Sequence, residues 1–389
     1  MLEARDRIGG RIDTDDSLGF TCDFGASWIH GDKGSPMKKL ADRFKVPLMK
    51  FDYENIACIE DGKPIDFVKL WKKFDKFEGI IDKYASKAGV DTRMGDMIAR
   101  IADDNNYDAY ARKMLQLYAL VEFESEYANK LYILSGSTFS DSEGNDGNDW
   151  LIPGGYIQLL KPVAEGMPIE LGKPIKRIDQ ESMADKVVVT TQADEKYYGD
   201  YVICTLPLGV LKSGVVDFVP PLQNSKTRSI HKLGFGSLDK IVLVFEKSFW
   251  PDVNCFIIWQ SQDLNKAFFA VNLNRVSGSS ALMVFLPQSK IEQYTNEDSA
   301  VQFALDILKS GFPNAEIKLV NQKVTDWRKE QYTRGAYSSL SVGCELTEIK
   351  NFTEPEGRIY FALESTHIKQ THQLFVEPGP AVSLERKRS

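Results

Sequence analysis

The chain has 389 residues, with 48 lysines and arginines against 55 aspartates and glutamates, a formal charge of −7, 43% hydrophobic and 26% charged residues. That length supports two or three domains and an ample core without a disulfide or metal staple. The acidic balance speaks against a nucleic-acid partner and mildly for cationic ones. No apolar run approaches the roughly 18–20 residues of a membrane-spanning helix; the best, such as Val202–Leu211, are strand-sized. Five cysteines (Cys22, Cys58, Cys204, Cys255, Cys344) lie scattered without paired spacing, the habit of a reduced compartment. Of four histidines only His367 and His372 are close, and a lone His-x4-His is a weak metal signal. The expectation is a cytoplasmic monomer with no metal.

Met1-Leu2-Glu3-Ala4-Arg5-Asp6-Arg7-Ile8-Gly9-Gly10-Arg11 is the most specific stretch. An acid at the end of a short apolar strand can accept both hydroxyls of an adenosine ribose, and two glycines before an arginine admit a pyrophosphate. A turn rich in salt bridges would explain Gly9-Gly10-Arg11 but not the whole string. Further on, Leu70, Trp71, Phe74, Phe77, Ile80, Ile81 and Tyr84 fall at helical spacing, with Lys72, Lys73, Lys76 and Lys83 on a solvated face. Tyr107–Phe123 reads as a second apolar-striped helix, and Glu122, Glu124 and Glu126 as its solvated acidic end, the lining of a tunnel for a cationic chain being the alternative. Residues 135–149 read as a polar loop. Val187–Thr191, Tyr201–Leu206, Ile241–Phe245, Ala281–Leu286 and Lys318–Val324 are short β-branched or apolar runs, hence strands. A β-rich start, a helical block, a β-rich middle and a mixed end suit a domain interrupted by insertions.

The opening string resembles the second strand and following loop of flavin-dependent amine oxidases, the polyamine oxidase branch in particular. Asp23-Phe24-Gly25-Ala26-Ser27-Trp28-Ile29-His30-Gly31 is similar to that family's next motif, beside the flavin ring. Trp150–Tyr156 resembles its Gly-Gly-Tyr segment, and Pro174–Ile178 the strand whose backbone holds adenine, at Ile175 here. Thr205–Lys212, Gly236–Lys240 with Phe249-Trp250, Trp327, Gly335–Ser338 and Ile359–Ala362 continue the likeness in family order.

Two departures accompany it. The family's first strand and Gly-x-Gly-x-x-Gly turn, which need about 30 residues, are not found before Leu2. Where the family reads Phe-Ala-Gly-Glu, this chain has Phe361-Ala362-Leu363-Glu364, a bulky residue at a close-approach glycine. Gln370 stands roughly where a substrate-facing aromatic belongs. The expectation is a truncated or altered product that holds FAD weakly.

The resemblance implies an α/β fold. An incomplete three-layer FAD-binding domain would comprise 1–52, 149–232 and 345–389, and a mixed-sheet substrate domain 53–148 and 233–344. It implies FAD as cofactor, an amine of the polyamine class and O2 as small-molecule substrates, and H2O2 as product. Cofactor contacts would fall on Glu3, Ala4, Arg5, Gly9, Gly10, Arg11, Gly25, Ala26, Ser27, Trp28, Ile175 and Glu364. Lys240 would be the lysine linked through water to flavin N5; a lysine snorkelling at a strand edge is the plainer reading. His30 would contact the substrate chain, or be a satisfied core histidine. Trp28, Trp327 and Tyr337 would wall the amine site, or serve as core aromatics. Asn351-Phe352-Thr353 is a weak glycosylation pattern. The competing reading is a non-catalytic remnant that acts by binding partners; a histone-demethylating relative would need a long helical insertion that is not seen.

Overall fold

The apolar runs of the second half pair into one seven-stranded mixed sheet. Its order is Leu319–Val324, Leu238–Phe245, Ala281–Pro287, Asp263–Asn272, Cys255–Gln260, Ile56–Glu60, Lys63–Ile65. Every neighbouring pair is antiparallel except Cys255–Gln260 with Ile56–Glu60. Successive side chains point to opposite faces of a strand. Val242, Ile257, Met283 and Phe285 therefore join one buried cluster, while Ile241, Leu243, Phe256, Ile258 and Val284 join another under the helix Glu297–Gly311. Burial on both faces explains why these strands read as continuous apolar runs rather than alternating ones. The computed structural model describes residues 1–138 and 146–366; His367, Gln370 and His372 lie outside the described residues.

The first face is covered by helices. Phe67–Ala85 starts at Asp66, whose side chain accepts the Lys69 N–H, and buries Leu70, Trp71, Phe74, Phe77 and Ile81. Lys72, Lys73, Lys76 and Lys83 are exposed, as the spacing predicts. The expected Tyr107–Phe123 helix is Ala109–Ala119, capped by Asp108, and passes into a π turn over Leu120–Glu124. That turn tucks Glu122 inward to 4% exposure and leaves Glu124 and Glu126 only half-buried. The solvated reading of these three acids is thereby corrected. A further helix, Met94–Asp104, escaped the sequence reading; Arg93 at its start makes no side-chain capping bond.

A four-stranded sheet (Lys196–Gly199, Val187–Thr191, Ile175–Asp179, Asp217–Val219) and a parallel pair (Val202–Cys204 with Ile359–Phe361) make up the other half. The run Val202–Leu211 is not one strand. Pro207 has no N–H for a ladder, and the chain turns there into the helix Leu208–Ser213. Leu2 forms a single bridge to Glu170 rather than a strand, extended by Glu3 N–H to Glu170 O (2.9 Å) and Lys173 N–H to Glu3 O (2.8 Å). The expected loop 135–149 ends one residue early. Asp149–Leu151 is the middle strand of a small sheet between Trp28–Ile29 and Met49–Phe51. The sequon Asn351-Phe352-Thr353 lies within the helix Leu346–Thr353, with Phe352 fully buried. Among the described residues all five cysteines are free and buried, no helix is long and apolar enough to cross a membrane, and no cluster could hold a metal.

Candidate active site

Lys240 stands third in the apolar strand Leu238–Phe245, opposite Phe285 on the next strand, and is 3% exposed. A buried ammonium persists only where acceptors meet its three protons. The Asp23–Ser27 segment supplies them: Nζ donates to Gly25 O (2.6 Å), Ser27 Oγ (2.6 Å) and Asp23 O (3.2 Å). Nζ also lies 5.4 Å from the Phe285 ring centre and 5.9 Å from that of Trp28.

Beside Lys240 is a small cleft walled by Gly25, Ala26, Leu238, Trp327 and Tyr337, with Arg11 also in its lining. Trp327 is fixed from two sides, its backbone N–H on Asp239 Oδ1 (2.8 Å) and its indole N–H on Phe24 O (3.3 Å). The Tyr337 hydroxyl donates to Ser125 O at 3.0 Å, just past the π turn. Trp327 and Tyr337 are at once core residues and cleft walls. Asp239 is buried beside them; desolvation pushes its carboxyl up to about 6, against the hydrogen bonds of Ser237, Trp327 and Thr325. Desolvation likewise lifts Asp23 to about 6, opposed by Thr14 and the Tyr156 N–H. Gly25 is required sterically, since a Cβ there would sit 1.8 Å from Arg11 O.

Trp28 does not line this cleft. It lines a second small cavity, with Cys22, Asp23, Ser27 and Met283. Its indole Nε1 is buried without a partner among the described residues. His30 is also absent from the lining. It is buried, stacked on Trp28 at 6.4 Å and 11°, with Nδ1 3.3 Å from Asp149 Oδ2. The structure thus brings Lys240, Gly25, Ala26, Trp327 and Tyr337 together, and sets Trp28 and His30 behind them.

The opening string closes the end of the cleft. Gly9 and Gly10 have φ of 109° and 58°, values that glycine tolerates, and a Cβ on Gly9 would lie 2.5 Å from Ile12 O. Arg11 donates to Ala336 O (2.6 Å) and pairs with Glu364 (2.5 Å); Arg5 pairs with Glu330 (2.5 Å). Glu3 accepts the Arg5 backbone N–H through Oε1, which also lies 4.0 Å from the Arg5 guanidinium. Ala4 is half-buried between Glu3 and Arg5, and Ile175 follows Lys173, whose N–H bonds Glu3 O. Glu364 Oε1 and Ser365 Oγ are buried with no partner among the described residues. Two orphaned oxygens beside a guanidinium, and a carboxylate with a spare oxygen, fit a ligand bearing both hydroxyls and phosphates. FAD is such a ligand. Glu3, Arg5, Arg11 and Glu364 could hold its polar length, with the aromatic walls taking a flat ring.

Sequence reasoning passed over Asp149 and Asp239, and set aside Glu124, whose carboxylate takes the Ser289 hydroxyl and the Leu131 N–H (3.3 Å). The alternation Glu122-Phe123-Glu124-Ser125-Glu126 inside an apolar helix was the available signal.

The family model described as flavin-containing amine oxidoreductase matches residues 1–374. The chain is 29% identical to polyamine oxidase 3 of Oryza sativa subsp. japonica, over 95% of this chain and 80% of the relative. It is 28% identical to polyamine oxidase 2 of Arabidopsis thaliana, over 94% and 78%. Lysine-specific histone demethylase 1 homolog 1 of Oryza sativa subsp. japonica is also 28% identical, over 94% of this chain but 46% of its own length.

Proposed function

The chain belongs to the flavin-containing amine oxidoreductase family, and we propose that within it the protein oxidises a polyamine at a carbon–nitrogen bond. FAD is the usual cofactor of that family; held here, it would supply two-electron oxidation of an amine carbon–nitrogen bond to an imine, with O2 as final acceptor and H2O2 as product. Water then hydrolyses the imine to an aldehyde and a shorter amine. The residues of this chain bind, orient and exclude water. Trp327 and Tyr337 offer π faces to a cationic substrate and keep the cleft dry. Lys240 pins the Asp23–Ser27 segment to the large sheet and brings a positive charge to the cleft edge. Glu3 would accept the ribose hydroxyls, Arg11 a phosphate, and the backbone at Ile175 the adenine. His30, with Trp28, would meet the substrate chain beyond the reacting carbon.

The FAD-binding domain is proposed as 1–52, 149–232 and 345–389, and the substrate domain as 53–148 and 233–344. The observation that carries the functional reading is the buried Lys240 ammonium beneath Gly25 and Ser27, in a cleft walled by Trp327 and Tyr337. The polyamine class rests on the Trp28-Ile29-His30 string and on the names of the two plant relatives. Incubation with FAD, followed by peroxide assay with spermine, spermidine and short monoamines, tests it. Preference for the polyamines is expected. Turnover confined to monoamines would overturn the substrate class, and a protein that binds FAD yet releases no peroxide with any amine would favour the non-catalytic reading.

A further inference from the structure

We infer that Asp239 is a positioning residue of the cleft, holding the Trp327 wall against the strand that carries Lys240. This rests on the proposal above that Trp327 walls the amine site. Lys240, Trp327 and Tyr337, which all line the cleft, hang on one short stretch, Gly236–Lys240, by different means. Lys240 belongs to the stretch. Tyr337 is laid on it by strand pairing, opposite Gly236, with the Ala336 N–H on Gly236 O at 2.7 Å. Trp327 is held by a side chain, that of Asp239.

The need for a side chain follows from where the ladder ends. The strand Leu319–Val324 runs antiparallel to Leu238–Phe245, with Val324 opposite Ile241. One further bond carries it on, Thr325 N–H to Lys240 O at 3.0 Å. Trp327 comes after that end, and a buried N–H without an acceptor would be costly. Asp239, fully buried, supplies the acceptor. Its Oδ1 takes the Trp327 N–H and the Thr325 hydroxyl, each at 2.8 Å, and its Oδ2 takes the Ser237 hydroxyl. Thr325 Oγ in turn accepts the Lys240 N–H at 2.9 Å. One carboxyl oxygen is thus linked to Trp327 directly and to the Lys240 backbone through Thr325.

The rest of Trp327 is tied as well. Its carbonyl accepts the Gly335 N–H at 2.8 Å, and its indole N–H donates to Phe24 O at 3.3 Å. None of this requires a particular ionisation of Asp239, since a backbone N–H donates in any case and a carboxyl keeps an accepting oxygen in either state. An acid fully buried beside Ile241-Val242-Leu243 is expensive. Holding a cleft wall accounts for its presence where an aliphatic residue would bury more easily.

The measurement is NMR of the full chain labelled with 15N at its six tryptophans, with Trp327→Phe identifying the amide and indole signals. The wild-type Trp327 amide is expected to exchange with solvent roughly a hundredfold or more slowly than in the unfolded chain. Asp239→Asn keeps an oxygen for that N–H and turns its NH2 to Ser237, whose hydroxyl can accept. Protection should persist, while the Trp327 amide signal moves more than those of the other tryptophans, its acceptor having changed. Asp239→Leu is similar in size and offers no acceptor; amide exchange should quicken about tenfold or more, and the indole signal should shift. In the FAD-loaded protein Asp239→Leu should lower kcat/KM for spermidine by roughly tenfold, with Asp239→Asn staying within about threefold of wild type.

An unprotected Trp327 amide in wild type overturns the inference, as does an amide signal that Asp239→Asn leaves in place. Equal kinetic losses in the two variants would also overturn it. Should Asp239→Leu fail to fold, the exchange and shift of the Trp327 amide in wild type and Asp239→Asn decide alone. If wild type oxidises no polyamine, the substrate proposal fails, while the NMR result still decides whether Asp239 holds Trp327.

Discussion

Lys240 Nζ and Gly25 O are 2.6 Å apart, a bond that ties the seven-stranded sheet to the segment leading into Trp28. Lys240→Met would remove a donor from Gly25 O, Ser27 Oγ and Asp23 O, leaving the two carbonyls the Ser27 hydroxyl at 3.4 Å. At roughly 1–3 kcal/mol for each buried group left unsatisfied, a loss of about 2–4 kcal/mol is expected after partial relaxation. Thermal melting would read it. In the FAD-loaded variant, stopped-flow mixing with amine and then O2 should show slower turnover or reoxidation. Wild-type traces would remove Lys240 from the chemistry and leave it a structural tie.

Gly25→Ala should be worse than its single methyl suggests. The added Cβ would collide with Arg11 O at 1.8 Å, and the two segments are tied together. Ala26 N–H bonds Arg11 O at 3.2 Å and Phe24 N–H bonds Asp13 O at 2.7 Å. The expected outcome is a protein of low solubility with little flavin. Gly34→Ala, where nothing lies within 4 Å of a Cβ though φ is +84°, should cost only about 1 kcal/mol of backbone strain. Similar melting temperatures for the two variants would contradict the steric argument.

Asp23 gives a pH prediction. Its carboxyl is raised from 3.8 to about 6 in the folded chain, chiefly by burial. The native state therefore holds a proton that the unfolded chain releases between pH 4 and 6, and stability falls as pH rises through that window. The effect is on the order of 3 kcal/mol. Asp23→Asn imitates the protonated form, so relative to wild type it should gain stability between pH 4 and 7. Denaturant melts of both proteins at the two pH values measure the difference. A gap that stays constant or moves the other way would place the proton elsewhere.

His30→Ala should weaken turnover of a polyamine more than that of a short monoamine, because the lost contact lies along the chain and not at the reacting carbon. Steady-state kinetics on both substrates decide it. Equal losses would make His30 a packing residue, consistent with its burial behind the cleft.

What could be read from the sequence was local. Gly9-Gly10-Arg11, Gly25-Ala26-Ser27 and the Leu238–Phe245 run each carry their own steric or apolar signature, and the structure brings all three to one cleft. The helix Phe67–Ala85 was legible because one stripe is apolar and the opposite face carries lysines. What was missed depends on partners far along the chain. Glu124 is half-buried because Ser289 and Leu131 reach it across the π turn, and nothing near residue 124 announces Ser289. Asp149 looks like the end of a polar loop until Trp28–Ile29 and Met49–Phe51 flank it. Trp28 has the composition of a site residue, yet its neighbours turn it to the second cavity.

The most consequential prediction concerns flavin retention by the 389-residue polypeptide. Two guanidiniums suited to a phosphate are already spent, Arg5 on Glu330 and Arg11 on Glu364, each at 2.5 Å. Binding a pyrophosphate must weaken or share these bonds, and a charge-assisted hydrogen bond is worth roughly 1.5–3 kcal/mol. Giving up one costs about ten- to a hundredfold in affinity. Leu363 adds to this: it packs against the cluster of Ile359 and Phe361 and puts a bulky side chain next to Glu364. Purified protein is therefore expected to carry less than one FAD per chain and to release little peroxide with an amine panel. Glu330→Ala frees Arg5 at a partly exposed site and should raise flavin content, and Leu363→Gly should raise it further at some cost in stability. Flavin absorbance against protein concentration gives the ratio directly. A wild-type preparation that is fully yellow, with neither substitution improving it, would show that these ion pairs form part of the cofactor site and do not compete with it.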